Sequence, residues 1–167
     1  MSDRDAVERL NSAKYIYLRE LYEPGSNSLK LVVEEAVANE FGALPAKLRE
    51  LPELQHIFAR ARPVESIEGC CRFELYWKRY IAYLVTEESI GSTSKHGYSD
   101  ESYSGTVLRS YSKSHFLDHI RKDTGAHVSK VQHFKLICLN HLIDIVADSA
   151  PEVQIVGSHS EPAIRPQ

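Results

Sequence analysis

Residues 71–78 alternate strictly between apolar and polar side chains, and this pattern limits the fold more than any other in the chain. The apolar positions are Cys71, Phe73, Leu75 and Trp77, and the polar positions are Arg72, Glu74, Tyr76 and Lys78. Successive side chains of a strand point to opposite faces, so the alternation predicts a strand with one buried face. The strand pattern over 70–86 is too long for one strand, and we predict a bend, bulge or tight hairpin near Lys78 and Arg79.

Several further segments have strand character. In 28–40 the alternation and the β-branched residues favour a strand from Leu29, although the second half of this segment is also compatible with a helix. A short strand is predicted over 105–110. The nearly continuous apolar run over 131–147 predicts one long central strand that is buried on both faces. A terminal edge strand is predicted at 153–156, after Pro151.

Helical spacing occurs in three places. Apolar residues recur every three or four positions over 3–22, which predicts an N-terminal helix that ends before Pro24 and Gly25. A second helix is predicted over 113–124, with Ser112 or Ser114 as its N-cap. Between them, 45–63 predicts one or two short helical turns.

Together these elements predict an α+β fold. We expect a single domain over 1–156, consistent with the chain length of 167 residues. Its antiparallel sheet has four to six strands, with the N-terminal helix and one later helix packed on it. Residues 157–167 contain two prolines and predict a disordered tail.

Composition excludes several classes of protein. The 20 Lys and Arg and 23 Asp and Glu give a formal charge of -3, so nothing predicts binding to nucleic acid or to an anionic membrane. No apolar run is long enough to cross a membrane, and the charged N-terminus does not resemble a secretory signal. Three cysteines, two of them adjacent, do not form a disulfide framework. A cytoplasmic location is the expectation.

Residues 89–104 form the first candidate for a working surface. This stretch is rich in serine and contains tyrosines, and it predicts a long loop. Long loops in compact domains often carry function, and tyrosine is enriched at recognition surfaces. The candidate binding residues are Glu87, Glu88, Tyr98, Tyr103 and Arg109. The alternative is that the glutamates only protect a strand edge and the tyrosines only cover a sheet face.

Histidine is unusually frequent, with eight in the chain and five of them between 115 and 141. His115 and His119 are four residues apart, so they share one helix face and could bind one metal ion. His133 or His141 could supply further ligands, which makes zinc conceivable, although no cofactor is predicted. Solvated or capping histidines are the competing interpretation.

A second pattern involves the predicted central strand. His133 and His141 are eight residues apart and would face the same side, with Asp144 close by. An acid beside a histidine can orient it for proton transfer. The alternative is a buried polar network between sheet and helix.

No motif in the sequence fixes a reaction, so whether the protein is an enzyme stays open. Our first hypothesis is a non-enzymatic module that binds a protein partner, as immunity proteins, antitoxins and adaptors do. The alternatives are a metal-dependent hydrolase built on the histidines, and a domain that binds a small anionic ligand. The segment 106–135 supports an anionic ligand, since it contains six Lys and Arg against two Asp, a net +4. The oligomeric state is not predicted.

Overall fold

The computed structural model describes residues 3–38, 62–91, 100–124 and 130–158. Within these ranges the helices are α1 (Asp3–Ser12), α2 (Glu88–Gly91) and α3 (His115–Thr124). The strands are β1 (Tyr15–Tyr22), β2 (Leu29–Ala38), β3 (Val64–Glu65), β4 (Cys71–Trp77), β5 (Tyr80–Glu87), β6 (Ser102–Ser104), β7 (Leu108–Lys113), β8 (Gln132–Ile137), β9 (His141–Ala147) and β10 (Glu152–Ser158).

The strands form two antiparallel sheets of five strands each. The first sheet has the order β1-β2-β4-β10, with the short β3 also paired to β2, and the second has the order β5-β9-β8-β7-β6. The predicted α+β class, with an antiparallel sheet, an N-terminal helix and a later helix, is therefore confirmed. The structure adds that the strands divide between two sheets, where the sequence analysis placed them in one.

The two sheets share one hydrophobic core. Buried side chains from β2 and β4 of the first sheet belong to the same cluster as those from β8 and β9 of the second. At the centre the Trp77 and Phe134 rings lie with centroids 6.2 Å apart. The inner faces of the sheets therefore pack against each other, as in a β-sandwich.

The alternating segment behaves as predicted. In β4, Phe73, Leu75 and Trp77 are buried, while the intervening residues are partly exposed. The predicted bend lies at Lys78 and Arg79, which separate β4 from β5. It is a crossover between sheets, because β4 pairs with β2 and β10 whereas β5 pairs with β9.

The predicted helix over 3–22 is too long. It ends at Ser12, and Tyr15–Tyr22 is strand β1. Aromatic and β-branched side chains at 15–17 suit the pleated surface that β2 offers. Because of their spacing from the apolar residues of the helix, the sequence pattern placed them on a continuation of the buried helix face.

The predicted single strand over 131–147 is also wrong. Its residues form two adjacent strands, β8 and β9, joined by a tight turn in which Cys138 N–H donates to the His141 carbonyl at 2.9 Å. Asn140 holds this turn against the first sheet, because its side chain exchanges two hydrogen bonds of 3.0 Å with the backbone of Leu18. The nearly unbroken apolar run arises because Ile143–Ala147 of β9 is buried on both faces.

Other predictions follow the structure more closely. The strand from Leu29, the edge strand after Pro151 and the helix after Ser114 are all present, and the strand predicted at 105–110 begins later, at Leu108. The predicted loop 89–104 contains the end of α2 and all of β6, and the predicted tail begins inside β10. The remainder of that loop (92–99), most of the helical segment 45–63 and the tail from 159 onward lie outside the described residues.

Helix α1 closes one end of the sandwich. Ala6 and Leu10 enter the shared core, and Asp3 accepts a hydrogen bond from the Val153 N–H of β10 at 3.0 Å. At its other end the Asn11 side-chain oxygen accepts three hydrogen bonds of 3.0 Å from the consecutive N–H groups of residues 106–108. The helix therefore joins the edge of the first sheet to β7 of the second.

Within the described ranges, no helix combines the length and the apolar character that crossing a membrane would require.

Candidate functional site

The outer face of the second sheet carries polar side chains that helix α3 partly covers. Because Phe134 and Leu136 face the core from β8, their neighbours His133 and Lys135 face outward. Asp144 faces outward from β9, opposite Lys135. Helix α3 packs on this face through a small cluster of Leu117, Val131 and Val146.

The side chains of His133, Asp144 and Lys135 join that of Ser114, the residue before α3, in a continuous chain of polar contacts. We call it the Ser114–His133–Asp144–Lys135 network. Ser114 Oγ lies 2.6 Å from His133 Nδ1, and His133 Nε2 lies 2.9 Å from Asp144 Oδ1. The second Asp144 oxygen lies 3.2 Å from Lys135 Nζ. Asp144 therefore accepts from both His133 and Lys135.

Ser114 has a second role as the N-cap of α3. Its Oγ accepts the Leu117 N–H at 3.1 Å, which satisfies one of the unpaired donors of the first turn. With that lone pair in use, the hydroxyl proton is available to His133 Nδ1, and the Nε2–H donates to Asp144. The network thus fixes the start of α3 on the sheet.

Serine, histidine and aspartate are also the residue types of a nucleophilic triad, but the geometry here serves packing. Ser114 and His133 have only 3% and 2% of their surface exposed. A nucleophilic oxygen must reach a substrate carbonyl, and Ser114 Oγ is enclosed beneath α3. The arrangement is instead the polar network between sheet and helix that was one of the two interpretations of His133 and Asp144.

A stack of rings extends from this network to the surface. The Tyr111 ring lies 4.3 Å from the His133 ring at 20° to it, and the Tyr103 ring lies 5.2 Å from Tyr111. Arg109 places its guanidinium carbon 4.4 Å from the centre of the Tyr103 ring. We call Tyr103, Arg109 and Tyr111 the tyrosine–arginine surface.

The charge of Arg109 is not neutralised by an ion pair. Its Nε donates to the Thr106 carbonyl at 3.3 Å, and it also hydrogen-bonds Tyr111. Across the parts of the chain that the structure describes, every ion pair involves other residues. Burial raises the pKa of Tyr111 above its usual range. The surface therefore presents a cation that contacts the ring of Tyr103 and the hydroxyl of Tyr111.

Beside this surface, the turn before β6 is fastened to the start of α3. Asp100 contacts Lys113 Nζ at 2.8 Å and His115 Nε2 at 2.7 Å, and the hydrogen bonds from these two side chains hold the pKa of Asp100 well below its usual range. Glu101 accepts the His115 N–H at 2.8 Å. Lys113 is thus an ion-paired cation, unlike Arg109.

The structure does not bring the four candidate metal-binding histidines together. His115 pairs with Asp100, and His119 Nε2 lies 3.4 Å from Asp123 Oδ2. His133 is enclosed in the Ser114–His133–Asp144–Lys135 network. The prediction that His133 and His141 face the same side assumed one strand over 131–147. The two residues lie on separate strands, β8 and β9, so that prediction loses its basis. Among the described residues, no three His, Cys, Asp or Glu side chains are arranged to hold a metal ion.

The candidate binding residues separate into two groups. Tyr103 and Arg109 meet on the outer face of the second sheet, as described above. Glu87 and Glu88 lie at the end of β5 and the start of α2, and β9 and β8 separate them from β7. Tyr98 lies outside the described residues. Two members of the surface were therefore predicted from the sequence, but together with glutamates that lie at the opposite edge of the sheet.

Some functional candidates were missed. Tyr111 and Lys135 were not among the candidate site residues predicted from the sequence. Arg109 and Tyr111 lie two positions apart on one strand, with Ser110 between them, so a period-two reading of 108–113 places both on the same face. Ser114 could not have been joined to His133 by spacing, because 19 residues separate them.

The outer face of the first sheet holds an open cavity of about 250 Å³. Its lining residues are Pro24, Lys30, Glu74, Tyr76, Glu152 and Gln154. All three charged lining residues are paired, since Lys30 contacts Glu74 at 2.8 Å and Glu152 contacts Lys78 at 2.7 Å. This cavity therefore offers fewer unpaired groups to a ligand than the tyrosine–arginine surface.

No family model matches the chain, and no curated protein and no solved structure is significantly similar to it.

Proposed function

We propose that this protein is a non-enzymatic binding module that recognises an acidic segment of a protein partner through the tyrosine–arginine surface. The observation that supports the proposal is Arg109, a cation without a carboxylate partner, placed over an exposed tyrosine ring. We further propose a cytoplasmic location, in keeping with three free thiols.

The composition of the surface suits recognition of a protein segment. Tyrosine and arginine are both enriched at the centres of protein interfaces, where they contribute a large share of the binding energy. Tyr103 has 50% of its surface exposed, and its ring contacts both Arg109 and Tyr111. The guanidinium is therefore oriented before a partner arrives, which reduces the entropy lost on binding.

Arg109 offers an unpaired cation to an acidic partner. Arg109, Lys113 and Lys135 all project from β7 and β8 on the same face. Lys113 pairs with Asp100 and Lys135 with Asp144, whereas Arg109 forms no ion pair among the described residues. Its guanidinium can therefore bind a carboxylate with two parallel hydrogen bonds.

A second candidate function is the binding of a small anion such as phosphate at the same place. Arg109 supports it as well, because one unpaired guanidinium can hold a single anionic group without a larger interface. The two functions differ in the area of protein that a ligand must cover.

Fluorescence anisotropy with a labelled ten-residue peptide of glutamate and glycine tests the proposal, with a lysine and glycine peptide as the negative probe. We expect Arg109→Ala to weaken binding of the acidic peptide by about tenfold or more, which corresponds to about 1.4 kcal/mol. The matched control is Arg72→Ala on the first sheet, because that arginine is already paired with Glu20. Equal affinities of wild type and Arg109→Ala would overturn the assignment of the surface.

Thermal-shift measurements with inorganic phosphate separate the two candidates. Stabilisation by phosphate that is lost in Arg109→Ala, together with no binding of the acidic peptide, would favour the small anion. Peptide binding that also depends on Tyr103, tested with Tyr103→Ala, would favour the protein partner, since the exposed ring adds contact area. Unfolding midpoints of all variants establish that the fold is intact.

A further inference from the structure

Strand β5 forms one edge of the second sheet, and its composition is unusual for an edge. Among the described residues it pairs only with β9. Its sequence from Tyr80 to Thr86 contains no charged residue and no proline, and the first charge is Glu87. Leu84 and Val85, which point to opposite faces, have 48% and 38% of their surfaces exposed.

The other edges of the two sheets carry features that discourage pairing. Strand β1 contains Arg19 and Glu20 next to an irregular register, β6 has only three residues, and β10 is bulged between Ile155 and Gly157. Charges, short length and bulges are the usual protection of exposed edges. In β5 the irregularity lies at the beginning, between Tyr80 and Ala82, and the strand from Ala82 to Glu87 pairs regularly with β9.

We propose that β5 is the self-association edge of this protein, where β5 of a second copy pairs with it antiparallel about a two-fold axis. The two five-stranded sheets would then continue as one sheet of ten strands. An isologous contact of this kind is the commonest way in which soluble proteins form dimers. The proposal does not depend on the function proposed above, because the tyrosine–arginine surface lies toward the other edge of the sheet.

The sequence of β5 is complementary to its own reverse. With the axis at Leu84, Tyr83 of one copy faces Val85 of the other, and Ala82 faces Thr86. Glu87 faces Ile81, so the only charge of the strand never meets its own copy. Apolar and β-branched cross-strand pairs stabilise a sheet, and like charges directly opposite each other destabilise it. The pattern therefore fits a second copy of this chain.

The contact is small. A pair of single strands covers less surface than a standard protein interface, so we expect a reversible dimer at micromolar concentration. Sedimentation velocity of the full chain from about 1 µM to about 500 µM measures this association, which is a range that brackets the expected Kd. A monomer throughout that range would overturn the proposal.

Two variants at equally exposed positions, one on β5 and one on β10, test whether β5 forms the dimer contact. Leu84→Lys places two ammonium groups opposite each other at the axis and should abolish the dimer. The control is Val156→Lys on β10, an edge of the other sheet, where the side chain also has 48% of its surface exposed. We expect this variant to dimerise as the wild type does. A dimer that survives Leu84→Lys, or one that only Val156→Lys disrupts, would show that β5 is not the contact.

Mixing two oppositely charged variants distinguishes the loss of the dimer contact from a folding defect. Leu84→Lys and Leu84→Glu should each be monomeric alone and should associate when mixed, because opposite charges then face each other. If neither variant folds, hydrogen exchange on the wild type gives the answer. Amides of Ala82–Glu87 should become more protected as the concentration rises, whereas those of β10 should not change. Protection that is independent of concentration would contradict the proposal.

Discussion

The outer faces of the two sheets both carry charged side chains, but they balance charge in different ways. On the first sheet Lys30–Glu74 and Arg72–Glu20 are partly exposed pairs, and Glu34, which is buried, pairs with Arg19. On the second sheet one carboxylate, Asp144, is buried between His133 and Lys135, while Arg109 nearby has no acidic partner among the described residues. Both faces therefore contain a buried carboxylate, but the Lys30–Glu74 pair is partly exposed whereas Asp144 is enclosed by two partners.

The groups differ in the burial of their charges, which the number of ion pairs on each face does not reveal. Partly exposed pairs contribute little to stability, because water screens them and long side chains lose entropy when they are held. A buried acid whose partners are removed is costly, since neither water nor another donor replaces them. The Lys30–Glu74 pair and the Asp144 network should therefore respond very differently to equivalent substitutions.

The largest effect is expected from Asp144→Ala. The change leaves the His133 N–H and the Lys135 ammonium without their shared acceptor, and we expect a loss of about 3 kcal/mol in the free energy of unfolding. The equivalent change on the first sheet, Glu74→Ala, removes the partner of Lys30 and should cost less than about 1 kcal/mol. Urea denaturation of both variants measures the difference. Equal losses would remove the distinction between the faces.

A smaller loss, about 1 to 2 kcal/mol, is expected from Ser114→Ala. This variant removes the N-cap of α3 and the hydroxyl donor to His133 in one step. Ser28→Ala is its counterpart beside the first sheet, where a buried hydroxyl donates only to the Gly25 carbonyl. That variant should cost less than about 1 kcal/mol. If Ser28→Ala proves the more damaging of the two by chemical denaturation, the network does not have the role we assign to it.

The smallest effect concerns pH. Hydrogen bonds from Lys113 and His115 lower the pKa of Asp100 in the folded protein. A lowered folded pKa contributes stability above the unfolded value, about 3.9, and that contribution is lost as the pH falls toward the folded value. Wild type should therefore exceed Asp100→Asn in urea midpoint at pH 7, and the gap should narrow below about pH 4. A gap that widens on acidification would contradict this sign.

The sequence predicted local features better than long-range ones. The alternation in β4, the break at Lys78 and Arg79, and the cap at Ser114 depend on neighbouring residues, and all three are present. The helix predicted over 3–22 and the strand predicted over 131–147 failed because each apolar run crosses a change of direction. In the second case the turn contains only one polar signal, Asn140, whose partner Leu18 lies 122 residues away.

The contacts of the candidate site likewise divide into local ones, which the sequence could suggest, and long-range ones, which it could not. Asp144 and His133 could be suggested as partners because both lie in one apolar segment. Their link to Ser114 depends on how α3 docks, and the position of Arg109 over Tyr103 depends on the pairing of β6 with β7. Neither spacing nor composition encodes such contacts. They arise when elements that are distant in the chain meet in the sheet.

The crossover at Lys78 and Arg79 also has a consequence for the order of assembly. All described strands of the second sheet lie between residues 80 and 147, whereas the first sheet combines β1–β4 with β10, which comes after them. A growing chain can therefore complete the second sheet while the first still lacks the neighbour of β4 on one side. Closing that gap joins β10 to β4 across more than 70 intervening residues, and pairings of such long range are slow steps in folding. The edge of β4 is thus the surface that a nascent chain leaves open longest.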